Sequence, residues 1–84
     1  MYEYLFTFRS LTQAQLAQNV LRQNRVVAEM QRSPKRLSKN GCAYALSISN
    51  AQLYEAIRIF RERKLQFKGL YRKIGAQELE EVQL

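Results

Sequence analysis

Along the first stretch of the chain Tyr2, Tyr4, Phe6 and Phe8 alternate with Glu3, Leu5 and Thr7, a period of two that predicts an aromatic-rich β-strand over Tyr2–Phe8. The period then changes. Ser10 stands three residues before Gln13 in capping-box spacing, and Ala14, Leu16, Ala17, Val20 and Leu21 recur at helical intervals, which predicts a helix to about Asn24. Val26 to Gln31 is β-branched and mixed in polarity, with Pro34 as a stop, so a second strand is expected to end near Arg32. A long basic loop follows to Gly41. Cys42, Tyr44, Leu46 and Ile48 then alternate with the small residues Ala43, Ala45 and Ser47, predicting a third strand. Ser49 and Gln52 repeat the capping-box spacing, and Leu53, Ala56, Ile57 and Phe60 form the stripe of a second helix ending near Lys64. Phe67 to Ile74 reads as a fourth strand in which Gly69 marks a bulge or a close backbone approach.

A shift of 39 residues places Ser10 on Ser49, Gln13 on Gln52, Ala17 on Ala56, Leu21 on Phe60, Arg22 on Arg61 and Arg25 on Lys64. Two strand-helix-strand units of equal length predict pseudo-twofold packing. With right-handed crossovers this is an α+β, ferredoxin-like βαββαβ sandwich, in which two helices share one face of a four-stranded antiparallel sheet. The other sheet face is then open, and with the loop between Gln31 and Cys42 it offers room for partners. Residues 1–75 are expected to form the single domain, with 76–84 as an acidic tail.

Eighty-four residues allow one small core and exclude large multilayer enzymes. The chain has no His and no Asp, which removes Ser-His-Asp and Cys-His catalysis, His-ligated metals and the usual phosphoryl-transfer carboxylates. A carrier or binding protein is expected rather than an enzyme. A single cysteine, Cys42, allows neither an internal disulfide nor a Cys-rich metal site. No signal-like segment opens the chain and no apolar run is long enough to span a bilayer, so a cytoplasmic protein with no membrane partner is expected. The net charge of +7 predicts an anionic partner. Residues 1–75 carry all fourteen cations against Glu3, Glu29, Glu55 and Glu62, whereas Glu78, Glu80 and Glu81 follow Gly75. The tail is therefore read as a frayed or weakly helical extension, either solvated or folded over the basic face.

The densest chemistry lies between Arg32 and Cys42, where Arg32, Lys35, Arg36 and Lys39 precede the only thiol and Gly41 adds backbone freedom. Nearby cations favour the thiolate and lower a cysteine's pKa from about 8.5, making Cys42 a candidate nucleophile. The competing structural role is a small hydrophobe beside Leu46 and Ile48. Three further segments, Tyr2-Glu-Tyr-Leu-Phe-Thr-Phe, Pro34-Lys-Arg-Leu-Ser38 leading into Gly41-Cys42-Ala, and Phe67-Lys-Gly-Leu-Tyr71, resemble the selenium/sulfur (Se/S) carrier protein-like family of small bacterial domains over nearly the whole chain. The resemblance implies that Cys42 accepts sulfur or selenium as a persulfide or perselenide and hands it on, with Lys35, Arg36, Lys39 and Gly41 supporting the thiolate. It implies donor and acceptor proteins as partners and no metal or organic cofactor. Glycine follows the family's cysteine, whereas here Gly41 precedes it and Ala43 follows.

Two alternatives stay open: a basic nucleic-acid-binding module, and an interaction domain that pairs with a second copy through a strand edge. Arg58, Arg61, Arg63 and Lys64 on the second helix, extended by Lys68, Arg72 and Lys73 and joined by Arg32, would form a docking or anion-binding surface. The rings of Tyr2, Tyr4, Phe6, Phe8, Tyr44, Phe67 and Tyr71 would either stack on bases or fill the core; no RNA-recognition-type Gly-Phe segment accompanies them.

Overall fold

The structure, a computed structural model, describes residues 3–32, 44–75 and 78–83. Strand β1 runs Glu3–Phe8, helix α1 Leu11–Gln23, β2 Glu29–Arg32, β3 Tyr44–Ser49, α2 Leu53–Glu62, β4 Gly69–Lys73 and β5 Leu79–Glu81. Tyr2, Cys42 and Ala43, expected at strand starts, lie outside the described residues.

All strands pair antiparallel in the order β2-β3-β1-β4-β5. The α+β class expected from the pattern holds, but among the described residues the sheet has five strands, not four. Residues expected to fray or form weak helix instead make β5, which adds to the outer edge of β4 with Tyr71 opposite Glu81, Arg72 opposite Glu80 and Lys73 opposite Leu79. Arg72 and Glu80 meet at 2.9 Å, and the Val82 N–H donates to the Leu70 carbonyl at 2.8 Å. Backbone pairing and an ion pair thus hold a segment whose composition alone suggests a solvated tail.

The register lines up Met30, Leu46, Phe6 and Leu70 across four strands on one face. Tyr4, Phe8 and Ile48 share that face, and Ala14, Ala17 and Leu21 of α1 with Leu53, Ala56, Ile57 and Phe60 of α2 close over it. α1 presents the small side chains of Ala14 and Ala17 to this core, while Phe60 of α2 meets Phe6 edge-on at 4.8 Å between ring centroids. Phe67 packs edge-on to Phe6 as well, at 4.9 Å.

The opposite face is not the open platform expected of it. At its centre Leu5, Thr7, Ala45 and Ser47 are buried, each at most 6% exposed. The Ser47 hydroxyl donates to the Glu3 carboxylate, and the Thr7 hydroxyl donates to the Gly69 carbonyl at 3.3 Å. β4 pairs with β1 in register as far as Thr7 opposite Gly69, where the preceding Lys68 N–H also donates to the Thr7 carbonyl. The glycine marks a close approach: a Cβ there would sit 3.0 Å from Cε2 of Tyr71.

Both helices end in the same way, at positions related by the internal repeat. Val26 N–H bonds to the Leu21 carbonyl and Arg25 N–H to that of Arg22; Leu65 N–H bonds to Phe60 and Lys64 N–H to Arg61. These are Schellman ends, with Arg25 (φ 63°) and Lys64 (φ 55°) in the left-handed conformation. They explain one departure from the pattern. Val26 opens the β-branched run, yet it is consumed as the buried anchor beside Leu21, so β2 begins only at Glu29.

The helix starts differ. The Ser10 hydroxyl accepts from the Gln13 N–H at 3.2 Å, as expected. Ser49 makes no side-chain cap, because a 3-10 turn over Asn50–Gln52 intervenes before α2 and commits Gln52 elsewhere.

Candidate functional site

β2 ends at Arg32, β3 begins at Tyr44, and the two residues face each other in register. On its other side Tyr44 pairs with Phe8, the last residue of β1. The segment joining Arg32 to Tyr44 therefore leaves and re-enters the sheet at one defined end. Lys35, Arg36, Lys39, Gly41 and Cys42, predicted from sequence to form the reactive loop, belong to this segment and lie outside the described residues.

Other cations gather at the same end of the sheet. Arg9 directly follows Phe8. Lys68 directly precedes β4, and its N–H donates to the Thr7 carbonyl at 2.7 Å. Arg9, Arg32 and Lys68 are exposed, and among the described residues none has a carboxylate partner. The last turn of α2 and the loop leading into β4 add Arg61, Arg63 and Lys64, also exposed and without such a partner. Cations at a helix C-terminus face its partial negative charge, which favours their position there.

The remaining predicted docking cations are engaged locally. Arg58 is held by Glu55 and by Glu62, the latter at 2.8 Å. The hydrogen bond to Glu55, then that to Glu62, raises its pKa above the usual guanidinium value, so it stays charged at any working pH. Arg72 pairs with Glu80, and the Lys73 ammonium lies 3.7 Å from the Glu3 carboxylate. Alternation puts Arg72 and Lys73 on opposite faces of β4, so they do not continue a stripe from α2.

The described aromatic residues do not form a stacking platform. Tyr4, Phe6 and Phe8 are buried under the helices, with Tyr44 and Phe67 packed against the same core. Among the described residues of that predicted set, Tyr71 alone projects from the other face, lying over Gly69. Sequence reasoning missed Arg9, which belongs to no charge run; only the pairing of β1 with β3 brings it beside the end of β2.

The arrangement is an electropositive sheet end to which the thiol-bearing segment is attached. It can favour a thiolate, attract an anionic or acidic partner, and orient an oxyanion. Among the described residues no group of three or more His, Cys, Asp or Glu could hold a metal ion. No described helix is long and apolar enough to cross a membrane. A family model described as Putative Se/S carrier protein-like matches residues 3–72. No curated protein and no solved structure matches the chain.

Proposed function

The chain belongs to the Se/S carrier protein-like family, and from that premise we propose that it is a ferredoxin-like sulfur or selenium carrier working through Cys42. The Cys42 thiolate attacks the outer sulfur of a donor's persulfide. One S–S bond forms as another breaks, the donor leaves as a thiolate, and Cys42 holds the transferred atom as a persulfide. Attack on that outer atom by an acceptor nucleophile returns the Cys42 thiolate. Selenium travels the same way as a perselenide. The exchange is isoelectronic overall and uses no cofactor.

One observation carries this reading: the sheet end bounded by Arg32 and Tyr44 is cationic, and Arg9, Arg32 and Lys68 have no carboxylate partner among the described residues. Cys42 stands two residues before Tyr44, a separation that spans at most about 7 Å of extended chain. Positive potential over that distance stabilises a thiolate and a persulfide anion, and it steers acidic donor and acceptor proteins to the thiol. A thiol that must stay reduced between transfers fits the cytoplasm.

The test is the pH dependence of Cys42 alkylation, with persulfide loading by a cysteine desulfurase read by mass. Alkylation is expected to reach half its maximal rate below the ordinary thiol value of about 8.5, to shift upward with added salt, and after loading to give an alkylated product that carries the mass of the added sulfur. Titration at or above that value, with no sulfur added, would refute the proposal.

A further inference from the structure

The repeat superposes Gln13 on Gln52, but the two side chains behave differently. Gln52 closes onto the turn after α1: its Nε2 donates to the Arg25 carbonyl at 3.3 Å, and its Oε1 accepts from the Val27 N–H at 3.1 Å. The corresponding turn after α2 is Lys64–Gln66. There Gln13 makes no such closure. Among the described residues the Gln13 side chain has no hydrogen-bond partner, and neither has the Gln66 N–H, the counterpart of Val27's.

What lies between them instead is an open cavity of about 270 Å³ lined by Arg9, Gln13, Leu65, Gln66, Phe67 and Lys68. Among the described residues, two of these are cations without a carboxylate partner and no acid lines the cavity. The Arg9 guanidinium offers a planar fork that matches two oxygens of an oxyanion, and Lys68 supplies a second positive charge. Gln13 and the Gln66 N–H add neutral donors. Leu65 and Phe67 pack against the core and form an apolar wall, which reduces the water that would screen those charges.

We propose that this cavity binds a dianionic tetrahedral oxyanion of the phosphate or sulfate type, free or as the end group of a small molecule. Two cations match the two charges, and the donor set surrounds one anion. The site uses no thiol, and although it shares Arg9 and Lys68 with the basic sheet end of the carrier proposal, its ligand does not depend on that proposal. The cavity after α1 is the internal control. It measures about 490 Å³ and carries Arg22 and Arg25, but its Gln18 is already bound to the Ala28 carbonyl and Gln52 closes the adjoining turn.

Amide chemical shifts of the whole chain are followed during titration with inorganic phosphate at neutral pH and constant ionic strength. Saturable shifts are expected at Arg9, Gln13, Gln66, Phe67 and Lys68. Arg9→Gln and Lys68→Gln, both at exposed positions, should each weaken the apparent Kd about ten-fold, and Arg22→Gln should leave it unchanged. Cys42→Ser should also leave it unchanged, which separates this site from the thiol. Phenyl phosphate tells the sources apart: tighter binding than phosphate assigns the site to an ester whose substituent meets the Leu65 and Phe67 wall, while equal or weaker binding assigns it to the free ion. Shifts that never saturate, or that respond to Arg22→Gln as strongly as to Arg9→Gln, would overturn the proposal and leave only general attraction to a basic chain. Loss of binding in Cys42→Ser would overturn it as well.

Discussion

Lys64→Gly tests the helix ends directly. At φ 55° the Lys64 backbone is left-handed, a conformation that costs a residue with a Cβ about 1–2 kcal/mol and glycine almost nothing. Glycine loses part of that gain because its unfolded chain is freer, by about 0.5–1 kcal/mol, and removing the cation from the end of α2 loses about 0.3 kcal/mol. The expected net gain is about 0.5 kcal/mol, or about 2–4 °C in Tm for a domain of this size. Arg25→Gly, at φ 63°, should give a similar gain, and the double variant should add because the two turns lie at opposite helices. Arg61→Gly is the control: it lies inside α2, where glycine should cost about 1 kcal/mol. Thermal and urea unfolding followed by circular dichroism measure all four. If Lys64→Gly lowers Tm as far as Arg61→Gly does, the left-handed position is not the strained one and the Schellman assignment is refuted.

Gln52→Ala removes two hydrogen bonds to the turn after α1 and should cost about 1 kcal/mol in urea unfolding, whereas Gln13→Ala, which loses no bond, should be near neutral. Gly69→Ala brings a methyl to 3.0 Å from the Tyr71 ring and should cost about 1 kcal/mol; combining it with Tyr71→Ala should cost less than the two losses added, as a double-mutant cycle would show. Arg32→Gln and Lys68→Gln should each raise the alkylation pKa of Cys42 by about 0.3 unit at low salt, with the effect fading as salt is added. Because the cation favours the charged thiolate, its removal must move the value upward; a downward shift would count against the proposed electrostatics.

The parts of the fold that announce themselves in sequence are those where one periodic face meets the core. Phe6 and Phe8, Leu46 and Ile48, and the stripe from Leu53 to Phe60 are of this kind, and each is buried as its spacing requires. β5 was illegible because Leu79-Glu-Glu81 offers one apolar residue and no alternation to read; its partner strand and Arg72 decide its conformation. The start of β2 and the absent cap at Ser49 depart from the local pattern because residues that pattern would use are taken up elsewhere. Each residue is committed elsewhere, Val26 as the buried anchor of the α1 end and Gln52 to a contact between the two halves of the chain, and strand or cap propensity encodes neither. The basic sheet end was only partly legible. Arg32 and Lys68 stood out in charged segments, but Arg9 joins them through strand order alone.

The strand made first, β1, lies inside the sheet, hydrogen-bonded to β3 on one side and β4 on the other. Its inner partner is separated from it by about half of the sequence and its outer partner by most of it, so the molecule is built on long-range pairings that form slowly. As the chain emerges during synthesis, Phe6 and Phe8 have no finished sheet to enter until Gly69–Lys73 has appeared. The newborn amino-terminal half must therefore keep its most aromatic segment from neighbouring chains while it waits, and the excess of cations over Glu3 and Glu29 in that half supplies the repulsion that does so.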